Sequence, residues 1–421
     1  MNKFLKVLFC IVFFACLAAP VLYLFGAHDN FVHLYGWEKK VTPPPLTVES
    51  FKTRQYQDAF TESYAKQFFL RRTFLKTAYQ IREWMNFGLF HYGYNQSIME
   101  GKDEFLFERP YSQFHLRCPR PAGRQKYEKV LSLLKEIDAY CTSIGAEFVF
   151  ATVPDKQQLY PEYLPWWHQR LWDYTNYDVQ GEMESICTEA GIKVYNGCRY
   201  MLSTKPRWEH SVFPPAGAHY NAYGSGLLYE GFLDTFNRIG KNKLRRNRFV
   251  GVRRIEEMWS VDDDIGNLLN IWYNPRMERN VHFAPIFEQT NVTMNAGSVI
   301  LMGDCYREQV AKIFQDARLF DPKKIVISQR HTGQKPEKFV TVVGELKLFI
   351  MVYQSFNSGR LDERYEEIAH IFKALKLARE KCRLPVPAAT KAEVSFKPGA
   401  WSTNDWICVK SPRFNYMHGF V

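Results

Sequence analysis

The chain has 421 residues and a formal net charge of +11, with 46% hydrophobic and 16% aromatic side chains. That content excludes a wholly disordered chain, and the length allows one large core with added segments. His210 and His331 stand in no metal-ligand spacing with any Cys or His, so neither a metal nor a cofactor is expected.

The chain opens with an uncharged apolar stretch, Val7 to Ala27, preceded by Lys3 and Lys6. At 1.5 Å per helical residue it matches a hydrocarbon core of roughly 30 Å. Ala18-Ala19 would suit signal cleavage, but Pro20 and the apolar Val21 to Phe25 argue for an uncleaved anchor over residues 1–27. The positive flank keeps the N-terminus cytoplasmic, so the expectation is an inner-membrane protein facing the periplasm, or a secreted one if the segment is cleaved. A linker and helical region, 28–110, then follows. In it Thr42-Pro43-Pro44-Pro45 reads as a stiff spacer, and Gln55 to Phe87, free of Gly and Pro, as one or two helices.

From 111 to 384 helical and strand patterns alternate. Tyr127, Val130, Leu131, Leu134 and Ile137 make one helix face that stops near Gly145, and Glu147 to Val153 reads as a buried strand. A helix around Glu182 to Thr188 precedes a strand at Ile192 to Tyr195, and further strands are predicted at Val299 to Met302, Ile325 to Ser328 and Leu348 to Val352. The alternation predicts a three-layer α/β fold with a mainly parallel sheet, whose ligands bind outside the carboxyl ends of the strands. The tail, 385–421, carries no assignable role.

The charge excess has a local source in Lys241 to Arg248 and Arg253-Arg254, which contain no acid. An exported protein implies no nucleic-acid partner; an acidic polysaccharide or lipid headgroups would suit the run, and a solvated loop is the simpler reading. Seven cysteines lie beyond the apolar stretch. An odd number in an oxidising compartment leaves one thiol unpaired, and Cys305 is the natural one. Cys118, Cys141, Cys187, Cys198, Cys382 and Cys408 allow up to three bridges or buried free thiols.

The most informative stretch is Gly303-Asp304-Cys305-Tyr306, between the apolar Val299 to Met302 and the helical Glu308 to Ala317. A strand that breaks at Gly and feeds a helix displays the turn residue over the sheet edge, where a nucleophile belongs. Upstream lies Gly217-Ala218-His219-Tyr220, and before it Val153-Pro154-Asp155-Lys156-Gln157-Gln158-Leu159-Tyr160-Pro161-Glu162-Tyr163-Leu164-Pro165. With Gly101 to Phe107 and Phe68 to Arg71, these blocks over residues 45 to 355 resemble, in order, those of the alginate O-acetyltransferase family. That family is of SGNH-hydrolase type and works on periplasmic polysaccharides.

The resemblance implies a nucleophile at Cys305 and a base at His219, with Lys156, Asp304 and Tyr220 toward the substrate. It also implies an exported polysaccharide as acceptor and a multi-spanning membrane acyltransferase as supplier of the acyl group. Two positions depart from it: Gly217 stands where the family has the orienting Asp, and Cys305 where it has Ser. Asp304 and Glu209 are the acids that could take over the orienting role. A thiol is a few per cent ionised at neutral pH and needs less base assistance than a hydroxyl, so a Cys-His pair remains usable chemistry. Trp166-Trp167-His168 and Trp172 suit either sugar stacking or packing. The expected function is O-acetyl transfer to a cell-surface polysaccharide through an acyl-enzyme on Cys305. The alternatives are an inactive glycan-binding or assembly subunit and, less favoured, a secreted esterase.

Overall fold

A computed structural model describes residues 32–35, 42–67, 70–85, 97–117, 123–171, 178–288, 293–328 and 336–383, with scattered positions between 7 and 22. The expected membrane span and the tail after 384 lie largely or wholly outside these residues. Among the described residues no helix is long and apolar enough to cross a membrane.

Two compact units emerge, one of residues 1–90, 267–274 and 393–421, the other of 91–266 and 275–392. The first contains helices Val48–Lys52, Gln55–Gln67 and Arg71–Met85. Thr47 caps the first of these, its hydroxyl accepting the Ser50 N–H at 3.0 Å. The long Gly-free stretch is thus two helices, and Leu70 between them takes a φ of +64°, outside the helical range.

The second unit is the α/β domain. Its strands are β1 (Ile98–Glu100), β2 (Leu106–Glu108), β3 (Glu147–Val153), β4 (Val194–Asn196), β5 (Phe249–Ile255), β6 (His282–Phe287), β7 (Ser298–Gly303), β8 (Ile325–Ile327) and β9 (Leu346–Gln354). Its main helices are α1 (Arg109–Arg117), α2 (Arg124–Ser143), α3 (Val179–Glu189), α4 (Ala222–Ile239), α5 (Tyr306–Asp316), α6 (Glu337–Val343) and α7 (Tyr365–Arg383). Five strands form one sheet in the order β4-β3-β9-β7-β8, every neighbour parallel.

Both faces of that sheet are covered, which is why its strands are apolar without alternation. Val149, Ala151, Val153, Leu301, Ile350 and Val352 pack with α4 and α5, while Phe148, Phe150, Ile300, Met302, Phe349 and Met351 pack with α2, α6 and α7. The three-layer α/β reading of the sequence holds. Two antiparallel pairs, β1-β2 and β5-β6, are added to it. Just before β5, two arginines of the basic run meet acids: Arg246 pairs with Glu230 and Asp234, at 3.4 and 2.7 Å, and Arg248 with Glu288 at 3.9 Å.

Candidate active site

Strand β7 ends at Gly303, where φ is +134° and an added Cβ would lie 1.8 Å from the Val352 carbonyl oxygen on β9. Only glycine fits there. The chain then turns so that Asp304 points inward and Cys305 stands half-buried at the N-cap of α5. Asp304 braces this turn. Its Oδ2 accepts the Gln354 N–H at 2.7 Å and Asn357 Nδ2 at 3.0 Å, and its Oδ1 the Tyr306 N–H at 3.2 Å. Through these bonds one carboxylate joins the ends of β7 and β9 and the start of α5.

His219 arrives on the loop before α4. Asn221 caps that helix, its side chain accepting the Gly224 N–H at 3.0 Å, and this cap sets the loop's exit. His219 is 4% exposed, and its ring lies 4.9 Å from that of Tyr306, centre to centre. The Tyr306 hydroxyl donates to the Ala218 carbonyl oxygen at 2.6 Å, so the residue after Cys305 holds the residue before His219. Cys305 lies close enough to the His219 imidazole for the two to interact electrostatically. Cys305 forms no disulfide.

An acid does meet the His219 imidazole, but it is neither at 217 nor among the acids expected to replace the one missing there. His219 Nδ1 lies 2.6 Å from Asp264 Oδ2, across 45 residues of sequence. The other oxygen, Oδ1, accepts the Ala218 N–H at 2.7 Å and the Ile265 N–H at 3.0 Å. A carboxylate can only accept, so Nδ1 carries the proton and Nε2 is left for the thiol. Glu209 is exposed, and its N–H bonds the Tyr223 hydroxyl at 3.0 Å.

The two loops that meet here are tightly stitched. The Ala216 N–H donates to Asn280 Oδ1 at 3.3 Å and Asn280 Nδ2 donates to the Asp262 carbonyl at 3.2 Å, while His282 Nδ1 lies 3.0 Å from Asp262 Oδ2. A Cβ on Gly217 would come within 2.4 Å of the Asp262 carbonyl oxygen. An aspartate at 217 is therefore sterically refused, and the 262–264 turn occupies its place.

Lys156 and Tyr220, expected on the substrate, are instead bonded to the protein's own backbone, and Asp304 to two backbone N–H groups and the Asn357 side chain. The buried Lys156 ammonium donates to the carbonyls of Pro214, Pro215 and Gly217 at 2.7, 2.8 and 2.8 Å, using all three of its protons on the loop that carries His219. Burial lowers its pKa well below the ordinary lysine value, with Asp264 and Glu108 working against that shift. The Tyr220 hydroxyl donates to the Pro154 carbonyl at 2.5 Å. Trp166 is exposed beneath the Arg170 guanidinium, at 5.2 Å. Trp167 and His168 line a cleft of about 240 Å³ with Arg109, Ser112, Gln113 and Leu116; Trp172 lies outside the described residues.

Burial alone would drive the His219 proton off, but the adjacent Cys305 and Asp264 outweigh it and hold the imidazole pKa well above the usual histidine value. A charged imidazole beside Cys305 is the setting in which a cysteine nucleophile is activated. Among the described residues the Cys305 N–H has no acceptor, while the Tyr306, Arg307 and Glu308 N–H groups are taken by Asp304 and Cys305.

Sequence reasoning missed Asp264. Its trace is the run Asp262-Asp263-Asp264 in a basic chain, but which of the three returns to His219 depends on loop packing that no spacing encodes.

No family model matches this sequence, and no curated protein matches it. Among solved structures the chain is similar to the O-acetyltransferase domain of Pseudomonas putida AlgJ, with 14% identity over 64% of this chain and 99% of that one and a TM-score of 0.43. It is also similar to Pseudomonas aeruginosa AlgX, with 14% identity over 68% of each chain and a TM-score of 0.42. Bacillus cereus PatB1 with a sulfonyl adduct gives 11% identity over 62% of this chain and 97% of that one, with a TM-score of 0.40.

Proposed function

We propose that this domain is an SGNH-like O-acyltransferase that carries an acetyl group on Cys305 and passes it to a hydroxyl of an exported polysaccharide. The observation that carries this reading is the His219 imidazole, held by Asp264 and set beside Cys305 at the carboxyl end of the parallel sheet. The acceptor class, the membrane attachment facing the periplasm and a multi-spanning donor acyltransferase rest on the order of the sequence blocks and on the apolar Val7 to Ala27.

The Cys305 thiolate attacks the donor's acetyl carbonyl, and the developing oxyanion takes the Cys305 N–H. The tetrahedral intermediate collapses to a thioester as the donor's C–O bond breaks, and His219 gives its proton to the departing oxygen. A sugar hydroxyl then attacks the thioester while neutral His219 takes its proton. Collapse expels the thiolate and restores the imidazolium, so the cycle closes without a net proton change. Asp264 keeps Nδ1 protonated throughout and stabilises the charged ring.

A second reading, a glycan-binding or assembly subunit without catalysis, is favoured by one observation, the Trp167 and Arg109 cleft. The two separate on incubation with an activated acetyl ester. Mass spectrometry of the quenched protein should show one acetyl group on Cys305, lost in Cys305→Ala and in His219→Ala. An unmodified Cys305 in protein that binds oligosaccharide would favour the subunit.

A further inference from the structure

Asn280 lies just after the helical turn Pro275–Glu278 and is 7% exposed. Its side chain stands between the two loops that bring His219 and Asp264 together. Oδ1 accepts the Ala216 N–H at 3.3 Å, while Nδ2 donates to the Asp262 carbonyl at 3.2 Å and to Asp263 Oδ1. These partners fix which way the amide faces, since an N–H needs its oxygen and a carboxylate its nitrogen. His219 lies three residues beyond the first partner, and Asp264 directly follows the other two.

Two further bonds hold the same turn. The Gly266 N–H donates to the Ala216 carbonyl at 2.7 Å, and His282 Nδ1 lies 3.0 Å from Asp262 Oδ2. Ala216 is therefore tied to the segment before Asp264 through Asn280 and to the segment after it through Gly266. Position 280 calls for an acceptor toward one loop and a donor toward the other. Aspartate would keep the bond to Ala216 but set a second carboxylate against Asp263, and alanine would lose all three bonds.

We infer that Asn280 is a positioning residue: by tying the Ala216 N–H to the Asp262-Asp263 backbone and carboxylate, it sets Asp264 against the His219 imidazole. Its effect on rate rests on the acyltransferase reading. The contact it controls is 2.6 Å long, and a misplacement of about 1 Å in such a constellation can cost roughly two decades in rate.

The test compares wild type, Asn280→Ala, Asn280→Asp, Asp264→Asn and the double variant Asn280→Ala with Asp264→Asn. The acetyl-Cys305 burst with p-nitrophenyl acetate should slow about ten- to a hundredfold in both Asn280 variants. In the Asp264→Asn background, Asn280→Ala should slow it by less than about threefold more, because the two residues act on one contact. Nitrogen-15 spectra of the labelled His219 ring should show a protonated Nδ1 in wild type, and a weakened Nδ1 proton signal in both Asn280 variants. A folded Asn280→Ala with a burst within about threefold of wild type would overturn the inference, as would an equally large further loss in the double variant. A wild type that never forms acetyl-Cys305 would remove the acyltransferase reading instead. The ring spectra then decide the positioning role alone, and an unchanged Nδ1 signal in both Asn280 variants would overturn it.

Discussion

His219 and Asp264 meet at 2.6 Å through the imidazole Nδ1, and the same carboxylate holds the Ala218 N–H at 2.7 Å. One acid thus fixes both the ring and the backbone that presents it. Asp264→Asn keeps the size of the side chain but permits the wrong tautomer, so acetyl transfer should fall by roughly two to four decades with little change in circular dichroism. A rate within about threefold of wild type would remove Asp264 from the relay.

Gly217 admits no side chain, since its Cβ would strike the Asp262 carbonyl at 2.4 Å. Gly217→Ala should cost about 1–3 kcal/mol, read from the urea midpoint at constant slope. Gly217→Asp added to Asp264→Asn should not restore transfer. Recovery of activity in that double variant would mean that the loops can separate.

Lys156 satisfies three carbonyls of the base loop from a buried position. Lys156→Met removes the shared donor, leaving Pro215 with the Leu106 N–H and Pro214 with the Gly217 N–H, and the loss should be about 1–3 kcal/mol of stability, read in denaturant titrations. The acetyl-Cys305 burst should slow as well, because His219 follows the same loop. A stable variant with a normal burst would show that the carbonyls find other donors.

His168 is 1% exposed, and burial lowers its pKa to about 4, with the Ser112 backbone opposing and His115 adding to that shift. The unfolded chain takes up this proton near pH 6.5, whereas the folded domain refuses it until about pH 4. The stability this group contributes is present above pH 6.5 and declines as pH falls toward 4, by up to roughly 3 kcal/mol. His168→Gln should flatten that decline between pH 7.5 and 4.5 in urea titrations. An unchanged pH slope would assign the acid sensitivity to other groups.

The parallel sheet was legible because its strands are short apolar runs closed by glycine or by a helix cap, as at Val299 to Gly303. The β5-β6 pair was not, because Arg253-Arg254 and Pro285 break the apolar alternation and one face packs on α4. Cys305 and His219 could be paired from their blocks because each sits at the edge of a regular element. Asp264 and the backbone role of Lys156 could not, since both depend on how an irregular loop, residues 212–219, is threaded between other loops. A lysine at a strand end reads as solvated until three carbonyls are found around it.

The close approach of Gly217 to Asp262 also constrains how such a site can change over generations. A site with its acid two residues before the histidine and a site with the acid on the 262–264 turn cannot both be satisfied by this backbone. A gene carrying both acids would encode a loop collision, and a gene carrying neither would encode an unoriented imidazole. Movement between the two designs therefore requires coordinated changes in loops far apart in sequence, and reversal by a single codon is closed.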